Sequence, residues 1–176
     1  MSNQITAKMT RQSVDVYRED KFEEIPDSTK VTTPSLEYGD TEISGSGIIG
    51  KLRVPDPNEV GDLILTVTTT SQTVQQSTLT SPNGATVRIT QAVSYYDKAT
   101  GNLSYKTIVH ICKGRCTKDP GADGEQGAAQ EYTVELSCSY YKRIVNGEVQ
   151  LEIDKLNDIF YHNGIDVLKE LRTALG

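Results

Sequence analysis

The sequence contains no tryptophan and only two phenylalanines in 176 residues. Large aromatic side chains therefore contribute little to its core. Nine tyrosines and fourteen glycines, together with frequent Thr and Ser, favour strands and turns over a helical bundle. A chain of this length is most simply one domain with a core of its own. We predict a mostly β fold in a single domain that spans residues 1–176.

Long apolar runs and clustered basic residues are also missing. No stretch approaches the roughly 20 apolar residues of a membrane-spanning helix, so we expect no membrane insertion by this chain. Residues 1–8 lack the apolar segment of a secretory signal peptide, which predicts a protein made and kept in the cytoplasm. The net charge of −6 and the scattered Lys and Arg argue against a nucleic-acid-binding groove.

Cysteine is limited to Cys112, Cys116 and Cys138. Without an export signal, reduced thiols are the expected state. His110, Cys112 and Cys116 lie in phase on one predicted strand, but a structural zinc site normally uses two close pairs and the second pair is missing. Residues four apart on a strand are about 13 Å apart, too far for a disulfide. We predict ordinary thiols and no metal.

The glycines at positions 45, 47 and 50 match the G-x-G-x-x-G spacing of dinucleotide-binding loops. The residues that follow include Pro55 and Pro57 and cannot begin a helix, so this match does not predict a cofactor site. No phosphate-binding loop, nucleophile elbow or catalytic triad spacing is present. We therefore predict no cofactor and no catalytic residues, and the chain is not expected to be an enzyme.

Alternation of apolar and polar side chains predicts most of the strands. Residues 62–70 are the clearest, residues 85–96 and 103–115 predict a long hairpin, and Asn146-Gly147 predicts a tight hairpin turn between residues 131–145 and 148–153. Thr66 and Thr68 share one face of their strand. On residues 131–145 we expect one face of Tyr132, Val134, Leu136, Cys138 and Tyr140, and an opposite face of Thr133, Glu135, Ser137, Ser139 and Tyr141.

The remaining segments are less regular. Residues 10–17 predict a first strand after a loose start, and residues 18–30 predict a solvated acidic loop. Residues 71–80 predict a short helix that opens at Ser71. After a last strand at residues 156–162, Asp166 is expected to cap a C-terminal helix that buries Val167, Leu168, Leu171 and Leu175.

Two segments read as long loops. Residues 40–59 combine glycines and prolines with Ile48, Ile49, Leu52 and Val54, and a free loop rarely carries four aliphatic side chains. They are interpreted either as an assembly loop that contacts another subunit or as a segment packed within its own chain. Residues 117–130 are rich in glycine and acidic residues, which predicts a mobile loop.

The C-terminal segment from Leu151 to Gly176 has the order strand, turn, strand, turn and short helix. Upstream lie Tyr140-Tyr141-Lys142, the Asn146-Gly147 turn and, earlier, Gly45-Ser-Gly-Ile-Ile-Gly50 with a basic and apolar run to Pro55. In order and spacing, these segments resemble the major tail tube proteins of contractile-tailed phages and phage-tail-like bacteriocins. The resemblance covers most of residues 30–176.

The resemblance implies a tail-tube-type β-barrel or sandwich with a short mid-chain helix and a C-terminal helix. Six subunits would close one barrel per ring by pairing their open sheet edges, and the rings would stack into a rigid hollow conduit for DNA, ions or protein that sheath contraction drives through an envelope. The implied partners are further copies of the chain, a tail sheath protein, a tape measure protein and a baseplate or initiator. The implied location is the tail of a virion or bacteriocin particle.

The resemblance also implies roles for individual residues. The polar strand faces would line the lumen through Thr66, Thr68, Thr133, Glu135, Ser137 and Ser139. An acidic, hydroxyl-rich wall would let DNA slide rather than bind. Arg88 is a basic exception, and we expect it to pair with an acid across the subunit boundary. Contacts between rings would involve Ile48, Ile49, Leu52 and Val54.

A competing interpretation is a monomeric β-sandwich that binds a ligand or carbohydrate. Tyrosine rings would provide the stacking surfaces of such a module, and the candidates are Tyr95, Tyr96, Tyr140 and Tyr141. The lack of an export signal and of clustered tryptophan argues against it.

Overall fold

A computed structural model describes residues 3–121 and 125–176 of the chain. Within these residues the fold is mostly β, as the alternation predicts. In chain order the elements are β1 (Gln4–Arg18), β2 (Lys21–Glu24), β3 (Ser28–Thr32), β4 (Tyr38–Ile43), β5 (Leu52–Val60), β6 (Leu63–Thr69), α1 (Val74–Leu79), β7 (Ala85–Asp97), β8 (Leu103–Lys118), β9 (Tyr132–Val145), β10 (Glu148–Asp154), β11 (Ile159–His162), β12 (Ile165–Asp166) and α2 (Lys169–Leu175). No helix in this part of the chain is long and apolar enough to cross a membrane.

Ten strands form one antiparallel sheet. Eight of them follow the order β12-β11-β10-β9-β8-β7-β1-β2, and β6 and β3 branch off at β9. The long strand β9 connects two parts of it. Residues 132–138 pair with β6, which in turn pairs with β3, whereas residues 140–145 pair with β10. The hairpin β4–β5 is a separate two-stranded sheet.

The core lies on the inner face of this curved sheet. Leu63, Leu65 and Val67 of β6 are buried on one face, as predicted, and meet Val134 and Leu136 of β9. The largest buried side chains from the other elements are Val14, Val16, Ile25, Leu79, Ile89, Tyr141, Leu151 and Ile153. The predicted mid-chain helix is present as α1, but its N-cap is Thr73 rather than Ser71, because the Thr73 hydroxyl accepts the Gln76 N–H at 3.1 Å.

Two of the predicted irregular segments are ordered strands. β1 begins at Gln4, inside the segment expected to be loose. Residues 18–30, expected to be a solvated loop, contain β2 and the start of β3. Ile25 between them is 1% exposed, and its N–H donates to the carbonyl of Val14 at 2.7 Å. One buried aliphatic side chain thus fixes a segment whose composition is otherwise polar.

The two predicted faces of β9 are correct only for the residues up to Cys138. Gly114 of β8 lies opposite Cys138 and Lys113 opposite Tyr140, so Ser139 is an extra residue in the ladder. The bulge reverses the alternation, and Tyr141 is 1% exposed on the inner face whereas Tyr140 lies on the outer face. The assignment of Tyr140 to the core and of Tyr141 to the polar face was therefore wrong.

The C-terminal helix is present but does not bury the residues expected. Asp166 lies in β12, opposite Tyr161 of β11. Helix α2 begins only at Lys169. Val167 and Leu168 pack against the core, whereas Leu171 and Leu175 are 42% and 79% exposed. Because the short strand β12 takes up the residues expected to begin the helix, α2 starts too far from the core to cover it.

The predicted turn between β9 and β10 is confirmed. Asn146 and Gly147 have φ angles of 50° and 85°, the left-handed pair that a type I′ turn requires. In the predicted mobile loop 117–130, β8 continues to Lys118 and residues 122–124 lie outside the described residues.

Candidate functional site

The main sheet has open margins within the part of the chain that the structure describes. On the side of β1 away from β7, β2 pairs only with residues 15–18, which leaves residues 5–13 without a neighbouring strand. A second margin lies along β3, which pairs with β6 alone. Backbone N–H and C=O groups along such margins are available to a strand of another chain. These two edges are the strongest candidates for a functional surface.

The segment 40–59, predicted to be a long loop, is instead part of the antiparallel hairpin β4–β5, which we call the arm (residues 38–60). Its base is joined to the main sheet: the Tyr38 ring packs 6.2 Å from the Phe160 ring, and Lys155 Nζ donates to the carbonyl of Gly61 at 2.6 Å. Beyond the base, the arm forms its own sheet. It is therefore a projecting structure rather than a flexible loop.

The arm has one charged and one apolar face. On the charged face, Arg53 pairs with Asp40 at 3.0 Å and Lys51 pairs with Glu42 at 2.7 Å. On the other face Ile43 lies opposite Leu52, and Thr41 lies opposite Val54. The four aliphatic side chains proposed from the sequence are all exposed in the single chain: Ile48 38%, Ile49 106%, Leu52 52% and Val54 37%. The alternative that they pack within their own chain is therefore wrong.

The predicted polar face is a real surface of strands β6 and β9. Thr68 lies opposite Thr133, with their hydroxyl oxygens 3.1 Å apart, and Thr66 lies opposite Glu135. Thr133, Glu135 and Ser137 are exposed, Thr66 and the bulged Ser139 are half-buried, and Thr68 is buried. Five of the six residues therefore share one regular face, and Ser139 lies in the bulge that ends it.

This polar face is not predominantly acidic. In the strand register Arg115 lies opposite Ser137, Lys118 opposite Glu135, and Lys30 opposite Thr68. Each carboxylate or hydroxyl row thus has a basic neighbour. The acidic net charge of the chain is not concentrated here, which the sequence alone did not reveal because the basic residues come from two other strands.

Arg88 pairs with an acid of its own chain, not with one across a subunit boundary. Its Nε and Nη2 donate to Asp15 Oδ2 at 3.0 and 2.7 Å, and its guanidinium lies 4.3 Å from the centroid of the Phe22 ring. The predicted pairing was wrong because β1, which carries Asp15, lies directly beside β7. An arginine on this face is therefore neutralised within the subunit.

The residues considered for a metal site are used inside the core. His110 is 6% exposed, with Nδ1 2.9 Å from the Tyr141 hydroxyl and Nε2 3.3 Å from Gln91 Oε1. Burial, followed by the positive charge of Arg143, lowers the pKa of His110 to about 4. A hydrogen bond with Cys138, together with burial, raises the pKa of Cys112 above its ordinary value. His110 and Cys112 are therefore neutral buried groups near pH 7, and all three cysteines are free.

The tyrosines proposed for ligand stacking do not form one surface. Tyr141 is buried. The Tyr140 hydroxyl donates to the Glu152 carboxylate at 3.1 Å, and Lys113 Nζ lies over the Tyr140 ring. Tyr95 lies under Lys106, whereas Tyr96 is 45% exposed on the opposite face of β7. No single stacking platform results from them.

A second exposed apolar surface was not predicted from the sequence. Part of the sheet extends beyond the turn at Asn146, whose N–H donates to the carbonyl of Thr107. This part consists of residues 4–11 of β1 and residues 92–107 of the β7–β8 hairpin. We call this region the sheet extension. Ile5, Tyr96 and Leu103 form one cross-strand row on its outer face, next to Tyr105, with exposures of 45–59%. The alternation of side chains in β7 and β8 predicts which residues share a face. It does not tell which of the two faces is covered by other elements.

Comparison with known proteins agrees with these features. The family model described as phage tail tube protein FII matches residues 13–176. The tail tube protein of Escherichia phage P2 is 31% identical over 90 residues, which are 51% of this chain and 51% of that protein. The match thus spans about half the length of this relative.

Two solved structures give low-scoring matches to the chain. A chain of an extracellular contractile injection system, from its PVC sheath/tube terminator in the extended state, gives a TM-score of 0.49 at 16% identity, covering 77% of this chain and 92% of that chain. A chain of the anti-feeding prophage (AFP) baseplate gives 0.46 at 13% identity, covering 82% and 97%. From the family match over residues 13–176, the chain belongs to the phage tail tube protein FII family, a family of structural tail proteins and not of enzymes.

Proposed function

We propose that this chain, as one tail tube domain over residues 1–176, is the repeating subunit of the inner tube of a contractile tail or bacteriocin. Copies join laterally into hexameric rings, and the rings stack into a hollow conduit. The observation that carries the proposal is the open edge of β1, where residues 5–13 have no neighbouring strand among the described residues. Pairing that edge with the β3 margin of the next copy in a closed ring satisfies the backbone groups of both.

Exposed apolar side chains support an assembled state. The arm, the sheet extension and helix α2 all carry large aliphatic or aromatic side chains in contact with water in the single chain. Contiguous apolar surface of this kind marks protein–protein contacts in soluble proteins. We assign the arm to contacts between rings, and the Thr66–Glu135 face to the lumen.

The remaining partners follow from that role. A sheath protein surrounds the tube and drives it through an envelope as it contracts, a baseplate or initiator begins the tube, and a tape measure protein occupies the lumen during assembly. In a phage, DNA passes through the lumen, where carboxylates and hydroxyls next to isolated basic residues limit adhesion. The chain is made in the cytoplasm of the host bacterium and ends in the particle tail.

Electron microscopy of the purified chain at high concentration tests the proposal, with rings or tubes as the expected result. A strictly monomeric wild-type chain contradicts it. The edge itself is tested by Gln12→Pro. The carbonyl of Val14 accepts a bond on the open side of β1, so alternation places the backbone groups of Gln12 on that side.

Proline at an open edge is compatible with the strand but removes the N–H that a neighbouring strand needs. We expect Gln12→Pro to keep the circular dichroism spectrum of the wild type and to form no rings. Gln12→Ala loses the same side-chain bond to Gln91 but keeps the N–H, and should assemble normally. Rings from Gln12→Pro equal to those of the wild type show that this edge is not the joint.

A further inference from the structure

The arm and the sheet extension lie at opposite ends of the sheet. The arm is attached near Lys155, which follows β10, whereas the extension begins beside the turn that precedes β10. Seven residues of β10 separate the two points, about 20 Å at the rise of a strand. A contact between the arm of one copy and the extension of the next is therefore head-to-tail. Such a contact does not form a closed ring. It repeats from copy to copy and extends the assembly along an axis.

Both surfaces present an exposed apolar face built from paired strands. The apolar face of the arm is a two-stranded ribbon that carries Ile43, Leu52 and Val54 and ends in Ile48 and Ile49. The extension offers a three-stranded face with the exposed row of Ile5, Tyr96 and Leu103. Both faces are uncovered in the single chain. Packing one on the other removes both from water.

The two surfaces are also opposite in charge. The arm, residues 38–60, contains four carboxylates and two basic residues, a net charge of −2. Residues 4–11 and 92–107 contain Lys8, Arg11, Lys98 and Lys106 against the single acid Asp97, a net charge of +3. The chain as a whole is acidic, so the basic extension is a local exception. Opposite net charges around two apolar faces favour their association over the pairing of either with a copy of itself.

We infer that the apolar face of the arm packs on the outer face of the sheet extension of a second copy in the adjacent ring. The inference rests on the proposed function and adds to it the surface that receives the arm. The occupant is a second copy of this chain, because one and the same polypeptide supplies both complementary surfaces at opposite ends.

Cysteine crosslinking tests this contact. In a Cys116→Ser background, which leaves only the two buried native thiols, Ile49→Cys is combined with Leu103→Cys and treated with a short bis-maleimide. After the tubes are dissolved in detergent, we expect a ladder of covalent products that continues beyond the copy number of one ring. The matched control combines Ile49→Cys with Leu175→Cys, a similarly exposed position on α2, and should give no ladder.

The outcomes separate the inference from the proposed function. Tubes that form but crosslink through position 175 and not 103 overturn the inference and leave the tube intact. A ladder that stops at one ring shows a lateral contact, which also overturns it. A wild-type chain that forms no rings or tubes refutes the proposed function, and the inference with it.

A charge reversal provides a second measurement. Lys98→Glu with Lys106→Glu should weaken stacking roughly tenfold at low salt, as expected for charges around an apolar contact, while single rings still form. Lys155 and the strand edges are untouched by this variant. The control Lys169→Glu with Lys142→Glu makes the same change in net charge outside the extension and should stack like the wild type. Equal loss in both double variants overturns the inference.

Discussion

Gly114 of β8 packs directly against Cys138 of β9, so that a Cβ atom at position 114 would lie 2.8 Å from the Cys138 Cα. The carbonyl oxygen of Ser137 is also in its way. This close approach occurs where the bulge at Ser139 brings the two strands out of regular register. The backbone of β9 is fixed on both sides by neighbouring strands and cannot retreat.

Gly114→Ala is therefore expected to destabilise the fold by about 1–3 kcal/mol, the usual cost of overpacking a rigid site. Chemical denaturation of the purified monomer measures this difference in the free energy of unfolding. Gly45→Ala is the matched control, since a Cβ atom at position 45 has no neighbour within 4 Å. Equal stability of the two variants would show that β9 can shift, contrary to the packing described.

The ion pair of Arg88 and Asp15 predicts a second difference in the free energy of unfolding, between variants of a half-buried and an exposed ion pair. The Asp15 side chain is only 13% exposed, so Asp15→Asn leaves a half-buried guanidinium without its charge partner. We expect a loss of about 1 kcal/mol in the free energy of unfolding. Asp40→Asn breaks the exposed pair with Arg53 and should change stability by less than about 0.5 kcal/mol. If Asp15→Asn left the free energy of unfolding of the monomer unchanged, the Arg88–Asp15 pair would not stabilise the fold.

The sequence predicted the strands that alternate regularly, and it failed where a tertiary contact decides. Residues 62–70 and the Asn146-Gly147 turn follow local rules and were correct. The position of Tyr141 depends on one extra residue at Ser139, and bulges are set by the neighbouring strand rather than by composition. The arm was read as a loop because glycines and prolines are typical of loops, although both strands of its hairpin are held by pairing with each other.

The prediction of the surface residues was limited in the same way by long-range contacts. Alternation placed Thr66, Thr133 and Glu135 on one face, and the strand register confirms that they are neighbours. It did not predict that Arg115 and Lys118 come to lie beside them, because β8 joins this face through long-range pairing. The charge of a sheet face depends on three or more strands, and no single strand determines it.

His110 predicts a pH dependence of stability. Its pKa in the fold is about 4, below its ordinary value of 6.5. The unfolded chain binds the proton first, so the stability from neutral His110 is complete above pH 6.5 and is lost as the pH falls from 6.5 towards 4. At about 1.4 kcal/mol per pH unit, the loss reaches up to about 3 kcal/mol.

The measurement is the free energy of unfolding at several pH values for the wild type and for His110→Gln. Glutamine remains neutral, so its variant should lose less stability than the wild type between pH 6.5 and 4. Carboxylates titrate in both proteins and cancel in the comparison. Parallel curves for the two proteins would mean that His110 is charged or solvated in the fold.

The lumen assignment predicts a size-dependent reactivity at position 135. In a Cys116→Ser background, Glu135→Cys should react with a small maleimide in both the monomer and the assembled tube. A maleimide attached to a large folded protein should label the monomer and not the tube, because it cannot enter a closed conduit. Lys169→Cys, at an exposed polar position at the start of α2, is the control for the outer surface. Labelling of position 135 by the large reagent along intact tubes would place the Thr66–Glu135 face outside the conduit and overturn the lumen assignment.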